Sequence, residues 1–402
     1  MLIARAFYFT LFAALAFLLP FLSLYYQQEL GLTGSQIGVL TGIAPIISLV
    51  GGSIWGAIAD ATHKHKAILL MAIAGVWFSV WAIFKAPGFL LLTVAVAFYA
   101  FLSSPVIPIV DNSVMMLLGD KRDRYGLERV WGSVGWGVAA IFAGILIQRL
   151  GLHWAFYGFF LLYGLLFFIA LRFPIPEVSI ATHFWQGLRQ LATNVRWIIF
   201  LLVALVEGMN LAIFLNYLFL HLADMGASRT LMSWSLTVAT FSEIPFFLAG
   251  HKLLRRWTPV QLLAASMLLT AVRALLYVGM TAPWQVLPIS LLHGPTFAIM
   301  WTAGVAYSTQ TAPKGLGTTA LAVFSGVTFG LGAALGSLTG GWLYQHVGGT
   351  APFLWAGTAA ILAILLFVWV HRRSIFHIAS PISEAEEAKE AMAPPERDSL
   401  GR

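Results

Sequence analysis

Long apolar segments alternate with short polar ones along almost the whole chain. An α-helix of about 20 predominantly apolar residues crosses the hydrocarbon layer of a membrane. Segments of this kind lie near residues 4–26, 36–59, 66–86, 89–118, 128–148, 152–172, 196–221, 230–250, 259–280, 286–309, 318–344 and 351–371. The pattern predicts an all-α membrane protein with twelve transmembrane helices.

Polar stretches divide these segments into two sets of six. The longest polar interruption before the end of the chain lies at 173–195. We therefore predict an N-terminal six-helix bundle over 1–172, a cytoplasmic linker with a short interfacial helix at 173–195 and a C-terminal six-helix bundle over 196–373. The polar, Glu- and Pro-containing remainder, 374–402, is predicted to be a disordered cytoplasmic tail.

An internal repeat supports this division. Four residues from the end of the fifth segment to the start of the sixth recur from the end of the eleventh to the start of the twelfth, at an offset of 197 residues: Gly144, Gln148, Gly151 and Phe156, then Gly341, Gln345, Gly348 and Phe353. Glycine-dense stretches precede both sets, and small residues let helices approach closely in lipid. The repeat predicts that the two segments are equivalent helices of two pseudo-symmetric halves.

The composition excludes a water-soluble protein. Of the 402 residues, 59% are hydrophobic and 10% are charged, whereas soluble domains carry about 25% charged residues. The absence of cysteine excludes disulfides and thiolate metal sites. We expect no metal or cofactor, and no enzyme, because neither a metal-ligand cluster nor a nucleophile–base pair has a recognisable spacing.

The net charge of +7 arises from basic residues that are unevenly distributed. Most of the Lys and Arg residues fall in the N-terminus and in alternate loops, such as Arg5, Lys66, Arg124, Arg172, Lys252, Arg256 and Arg372. By the positive-inside rule these loops face the cytoplasm, with both termini inside. The basic charge therefore sets the membrane topology, and we do not expect a nucleic-acid partner.

Arg273 and His293 are ionisable residues inside neighbouring apolar segments. They lie twenty residues apart, ten on either side of Pro283. In an antiparallel helix pair they would be level, roughly 15 Å from the turn. Ionisable groups at this depth mark substrate or proton pathways, although a core histidine bonded to a backbone carbonyl is the alternative for His293.

Asp111 and Arg129 form a second level pair. They lie eighteen residues apart, on either side of the turn near Asp120. A carboxylate and a guanidinium at one height can pair, and a polar solute can compete for either group. The alternative is a structural ion pair that holds two helices together.

Two further carboxylates, Glu207 and Glu243, are candidates for proton coupling. Burial favours the uncharged form of a carboxylate, so such a group can load and release a proton. Asn210 follows Glu207 on the same helical face and is a candidate solute ligand. The alternative for Glu207 is a packing residue bonded to Asn210 or Asn216.

The second segment ends in a short motif followed by a basic loop. Gly56 and Asp60 precede Lys64 in a stretch that resembles the loop 2–3 signature of the major facilitator superfamily. His63 stands where that signature has its second glycine. The resemblance implies a role in conformational gating for Gly56, Asp60 and Lys64; the alternative is an ordinary basic loop.

The stretches Ser104–Asp111 and Tyr125–Trp136 resemble helices 4 and 5 of the lactose permease and phenylpropionate permease branch of this superfamily. That resemblance implies that Asp111 and Arg129 bind the solute and that Trp136 stacks on it. Arg273 and His293 resemble the helix 9 and helix 10 pair of the same branch. Glu243 resembles its helix 8 acid.

One position departs from this branch. Thr296 stands where the sugar permease has a proton-carrying glutamate, so any proton site must use another carboxylate. The resemblance implies a monomeric transporter in a bacterial inner membrane. We expect proton-coupled symport of a sugar, nucleoside or aromatic acid by alternating access. Proton-driven efflux of an amphipathic compound and a non-transporting membrane sensor are the alternatives.

Overall fold

The computed structural model describes residues 1–175, 194–312 and 316–376. Within these ranges the chain forms twelve helices long and apolar enough to cross a membrane. They are α1 Leu2–Gln28, α2 Gly34–Thr62, α3 His65–Lys85, α4 Phe89–Leu118, α5 Tyr125–Leu150, α6 His153–Arg172, α7 Val195–Asp224, α8 Arg229–Arg256, α9 Pro259–Val278, α10 Pro283–Thr311, α11 Thr319–His346 and α12 Ala351–Arg372. The prediction of an all-α, twelve-helix membrane protein is confirmed.

The two halves repeat one packing scheme. In the first half α1 packs against α5 and α6, and in the second α7 packs against α11 and α12. The halves meet mainly where α2 contacts α11 and where α5 contacts α8. The sequence repeat relates α5 to α11, and the two helices have equivalent contacts. α5 packs against α8 and α11 packs against α2, in each case a helix of the opposite half.

Proline interrupts α4 one and a half turns before Asp111. Pro105 has no N–H to donate to the carbonyl of Phe101, and the helix turns at Ser104. The freed carbonyl instead accepts hydrogen bonds from the Ser104 hydroxyl at 2.8 Å and the Trp55 indole N–H at 3.0 Å. Neighbouring side chains thus satisfy the break, as a low-dielectric environment requires.

Two wider turns occur in the second half. Gly294–Ala298 in α10 and Gly326–Gly332 in α11 are π-helical, a feature common at functional sites. At the first of them, Gly294 lies against α8, where an added Cβ would clash with the Ser242 carbonyl oxygen. The Gly294 N–H donates to the Ser242 hydroxyl at 2.8 Å. This close approach of α10 and α8 positions His293 beside Glu243.

We call the face of the bundle that carries Arg5, Lys64, Arg172 and Arg256 the basic face, and the other the opposite face. The predicted interfacial helix falls largely at 176–193 and most of the predicted tail at 377–402. Both lie outside the described residues.

Candidate functional site

In the first half, α1, α4 and α5 assemble an acid, an arginine and two aromatic rings. The Tyr8 hydroxyl donates to Asp111 Oδ1 at 2.6 Å. Arg129 Nε lies 4.0 Å from the same oxygen, beyond hydrogen-bonding distance. The Arg129 guanidinium lies over the Phe12 ring at 4.3 Å and the Tyr8 ring at 5.2 Å.

This acid–arginine pair is accessible. The side chains of Asp111 and Arg129 are 30% and 31% exposed. Gly132, one turn after Arg129, makes room for the guanidinium, because an added Cβ would meet Arg129 Nη1 at 2.7 Å. Trp136 is half-buried and packs against the hydrophobic core. The pair retains unused hydrogen-bonding groups that a polar solute could occupy.

In the second half, three side chains from three helices form a continuous chain. Arg273 Nη1 donates to His293 Nδ1 at 2.7 Å, and His293 Nε2 lies 2.8 Å from Glu243 Oε1. An arginine has only donors, so Nδ1 must accept. The proton of a neutral His293 ring therefore sits on Nε2 and is donated to Glu243.

The guanidinium of Arg273 is buried among hydrogen-bonding and aromatic side chains. Its Nε and Nη2 both donate to the Tyr277 hydroxyl, at 3.2 and 3.1 Å, and its guanidinium lies 4.6 Å from the centre of the Phe214 ring. The residue is 4% exposed. Among the described residues no carboxylate oxygen lies within 4.0 Å of it, so its connection to Glu243 runs through His293.

A small pocket opens between α7, α9 and α10, with room for about one water molecule. Its polar lining is Glu207, Asn210, Thr270, Arg273 and Thr296. Thr270 donates to Glu207 Oε2 at 3.2 Å. The other carboxylate oxygen and both side-chain polar atoms of Asn210 have no partner among the described residues. Asn216, the other partner expected for Glu207, donates instead to the Ser337 hydroxyl at 3.0 Å.

Two glutamines connect the halves at the opposite face. Gln148 Oε1, at the end of α5, accepts from the backbone N–H of Arg229 at the start of α8, at 2.7 Å. Gln345 Oε1, at the end of α11, accepts from the backbone N–H of Ser35 at the start of α2, at 2.9 Å. Gln148 and Gln345 are the repeat-related residues, and each satisfies a free N–H at the start of a helix in the other half.

The repeated glycines lie under these contacts. An added Cβ at Gly144 would clash with Ser233 Oγ, and one at Gly341 would clash with the Gly34 carbonyl oxygen. Gln27 of α1 also donates to the Tyr344 hydroxyl of α11 at 3.1 Å. The halves are therefore tightly closed at the opposite face.

The loop between α2 and α3 has a glycine-like backbone. His63 adopts a left-handed conformation, with φ of +54°, at the position where the signature has glycine. Asp60 Oδ1 lies 3.7 Å from His65 Nε2. Gly56 faces open space, and Lys64 is exposed just before α3.

The model of the MFS_1 like family matches residues 1–355, the greater part of the chain. The chain belongs to this family, within the major facilitator superfamily. Relatives that match over nearly their whole length include a permease and a transporter. Maltose permease of Geobacillus stearothermophilus is 30% identical over 376 residues, 91% of this chain and 93% of the relative. A probable 3-phenylpropionic acid transporter of Escherichia coli is 27% identical over 85% of this chain and 90% of the relative.

Solved structures share the fold. The crystal structure of the nucleoside transporter NupG has a TM-score of 0.81, with 16% sequence identity, and covers 92% of this chain and 98% of the other. At that identity the match concerns architecture alone. Together these findings establish a multi-pass membrane transporter of the major facilitator superfamily.

Several contributors were not identified from the sequence. Tyr8, Phe12, Phe214 and Tyr277 sit inside apolar runs, where an aromatic residue has no local feature that separates packing from function. A usable signal existed for Gln148 and Gln345, since both belong to the internal repeat.

Proposed function

We propose that this protein is a proton-coupled symporter of a neutral, hydroxyl-rich solute, a sugar, operating by alternating access. It would act as a monomer in a bacterial inner membrane, with the basic face and both termini in the cytoplasm. The twelve-helix fold, the family and the two clusters of ionisable side chains within the helices support this proposal.

The observation that carries the solute class is the gap between Asp111 and Arg129. The two groups balance each other's charge, yet at 4.0 Å they do not bond directly. A neutral solute with neighbouring hydroxyls can donate to the carboxylate and accept from the guanidinium, and the charges remain balanced. An anionic solute would leave Asp111 opposed by a second negative charge.

Aromatic rings at this pair favour the same class. Phe12 and Tyr8 flank the guanidinium, and Trp136, about two turns further along α5, offers an indole face for a sugar ring. A relative that is 30% identical carries the name maltose permease. A second is named a probable 3-phenylpropionic acid transporter, so aromatic acids are the competing class.

We assign proton coupling to the second half. Arg273 is a fixed positive charge, and Glu243 and Glu207 are the carboxylates nearest to it through named contacts. With both carboxylates ionised, the cluster carries one net negative charge; with one protonated, it is neutral. One proton per cycle therefore toggles the cluster between two charge states, with His293 as the connecting group.

The closed opposite face supports a cytoplasm-facing conformation. Within the described ranges, the hydrogen bonds between the halves lie at that face or near the middle of the helices, such as those of Gln148, Gln345 and Thr237. To expose the site to the outside, α5 must part from α8 and α2 from α11. The Gly56, Asp60 and Lys64 loop lies at the basic face, where the complementary gate would close.

The test is transport by the purified protein in liposomes. We expect maltose counterflow and accumulation of maltose against its gradient when the interior is alkaline, with neither 3-phenylpropionate nor uridine replacing maltose. Accumulation driven by the reversed proton gradient would indicate efflux. Binding of maltose without counterflow would favour a sensor, and the absence of both would reject a sugar as the solute.

A further inference from the structure

The pocket beside Glu207 has the character of a ligand site. Glu207 is 3% exposed and Asn210 is 1% exposed, and three of their four side-chain polar atoms have no partner among the described residues. Buried polar atoms are almost always satisfied by protein or by bound water. These unpaired atoms lie one helical turn apart on α7 and line a common space.

The size and charge of this space restrict what it can hold. It has room for about one water molecule, so a sugar ring does not fit. Arg273 lines the same pocket, and its fixed positive charge disfavours a metal cation at short range in a low-dielectric environment. A proton held on the carboxylate, with one water molecule, meets both restrictions.

The two carboxylates near Arg273 differ in their partners. Glu243 accepts from His293, which in turn accepts from Arg273, so the ionised form of Glu243 is connected to a positive charge. Glu207 receives one bond from the neutral Thr270 hydroxyl. Ionisation of Glu207 would therefore leave Oε1 without a donor from the described part of the protein.

We propose that Glu207 is the residue that takes up the transported proton, in a pocket completed by Asn210 and one water molecule, while Glu243 stays ionised as the counter-ion of Arg273. This inference rests on the proposed function and decides which carboxylate performs the coupling. It also assigns Asn210 to the proton pocket and not to the solute.

Proton transfer here follows a simple balance. A hydronium ion from the outer solution gives up a proton and becomes water, and an O–H bond forms at Glu207 Oε1. Asn210 Oδ1, through the bound water, accepts from this O–H. When the proton leaves to the cytoplasm, the ionised carboxylate attracts the guanidinium of Arg273 and competes with His293 for it.

The charged and titratable groups that face this pocket come from the neighbouring helices. Arg273 approaches from α9, with His293 of α10 and Glu243 of α8 behind it. From α11 the backbone approaches α7 closely: an added Cβ at Gly208 would clash with the Thr328 carbonyl oxygen. A change in the charge of Glu207 therefore acts mainly on the hydrogen-bonded side chains of Arg273, His293 and Glu243.

The experiment compares Glu207→Gln with Glu243→Gln in liposomes, with maltose as the probe. Glutamine imitates the protonated carboxyl group. We expect Glu207→Gln to reduce gradient-driven accumulation at least tenfold while maltose counterflow, which moves no net proton, falls less than threefold. Glu243→Gln should lower both together, because it removes the partner of His293. Glu29→Gln, at an exposed carboxylate beyond α1, is the matched control.

A second measurement does not depend on the solute. Infrared difference spectra of the purified protein across a pH titration should contain a protonated-carboxyl C=O band that Glu207→Gln removes and Glu243→Gln retains. Asn210→Leu should shift the frequency of that band, because it removes the amide that reaches the bound water.

These measurements distinguish a failure of the Glu207 assignment from a failure of the proposed sugar transport. Undiminished accumulation by Glu207→Gln, or a carboxyl band that only Glu243→Gln removes, would overturn the assignment of Glu207. If the parent protein never accumulates maltose but the band still maps to Glu207, then the proposed sugar transport fails and the proton site stands.

Discussion

The two halves of this transporter place the same kinds of charged side chain in different environments. In the first half, Asp111 and Arg129 are each about one-third exposed and do not bond directly. In the second half, Arg273 is almost fully buried and bonds to Tyr277 and His293. Within the described residues, the first arrangement leaves the donors of Arg129 free, whereas the second uses most of the donors of Arg273 internally.

This difference agrees with the two roles proposed for the halves, solute binding in the first and proton coupling in the second. A solute that must bind and leave requires groups with unused hydrogen-bonding capacity. A proton site requires groups that are already paired and buried. A fixed charge in a low-dielectric environment interacts strongly with a neighbouring carboxylate, so the protonation of that carboxylate changes the relative stability of the conformations. One helical scaffold, repeated twice, thus holds its charged side chains in two environments that differ in burial and pairing.

The largest effect should come from removing the exposed guanidinium. If Arg129 binds the solute through two charge-assisted hydrogen bonds, as proposed, Arg129→Ala removes about 3 kcal/mol of binding free energy. Maltose affinity, measured by calorimetry or counterflow, should fall by about 100-fold. Arg149→Ala, at the exposed end of the same helix, is the control. Equal affinity in both variants would remove Arg129 from the solute site.

Replacement by lysine should affect Arg129 and Arg273 differently. Lysine cannot reproduce a planar fork that bonds two partners at once. We therefore expect Arg273→Lys to lower the free energy of unfolding by about 2–3 kcal/mol, since Tyr277 and His293 both lose a partner in a buried site. Arg129→Lys should lower it by less than about 1 kcal/mol, since its partners are open to solvent. Thermal unfolding in detergent compares the two, and similar losses would contradict the proposed contrast.

At the opposite face, we expect Gln148 of the first half and Gln345 of the second to contribute equally to closure. Gln148→Leu and Gln345→Leu each remove one hydrogen bond between the halves, worth about 1 kcal/mol. Together they should shift the population toward the outward-open state by about 30-fold. The chain has no cysteine, so Ser233→Cys, buried beneath Gly144, can report opening by its rate of maleimide labelling.

Gln285→Leu is the control for this double variant. Gln285, in the first turn of α10, also accepts from backbone N–H groups, at 2.8 and 3.0 Å, but these belong to the loop that precedes its own helix. It should leave the labelling rate of the cysteine at position 233 unchanged. A rate increase in this control equal to that of the double variant would show that the glutamines do not hold the gate.

The smallest effect concerns the ends of α2 and α8. His63 follows α2 with φ of +54°, which costs a non-glycine residue about 1 kcal/mol. His63→Gly should therefore raise the free energy of unfolding, measured by thermal or denaturant unfolding in detergent, by up to about 1 kcal/mol. Trp257, which follows α8, is extended, with φ of −133°, so Trp257→Gly should give no gain. A loss of stability in His63→Gly would show that its side chain contributes more than its backbone strain.

Residue spacing predicted the relative depth of two pairs of ionisable residues. Asp111 and Arg129, and likewise Arg273 and His293, were expected at equal heights, and they lie 4.0 and 2.7 Å apart. Helical rise is constant, so the count of residues to a turn measures depth. The spacing could not predict which pair would be open or closed, because that depends on aromatic side chains from other helices.

The order of contacts around Arg273 was also beyond the sequence. Helical spacing does not specify which carboxylate pairs with Arg273, and the structure places His293 between Arg273 and Glu243. The π-helical turn at Gly294–Ala298 and its contact with Ser242 set that position. Such a turn depends on packing between α8 and α10, and one segment alone does not encode it.

The order of residues along the chain is enough to specify the solvent of this protein, the number of its helices and the depth of its charges. These properties follow from local quantities, namely hydrophobicity and helical rise. The folded arrangement adds that Asp111 and Arg129 remain accessible while Arg273 is enclosed, and that Gln148 and Gln345 bond across the halves. Burial and hydrogen bonding between helices depend on several distant segments at once, so no single stretch of residues carries that information.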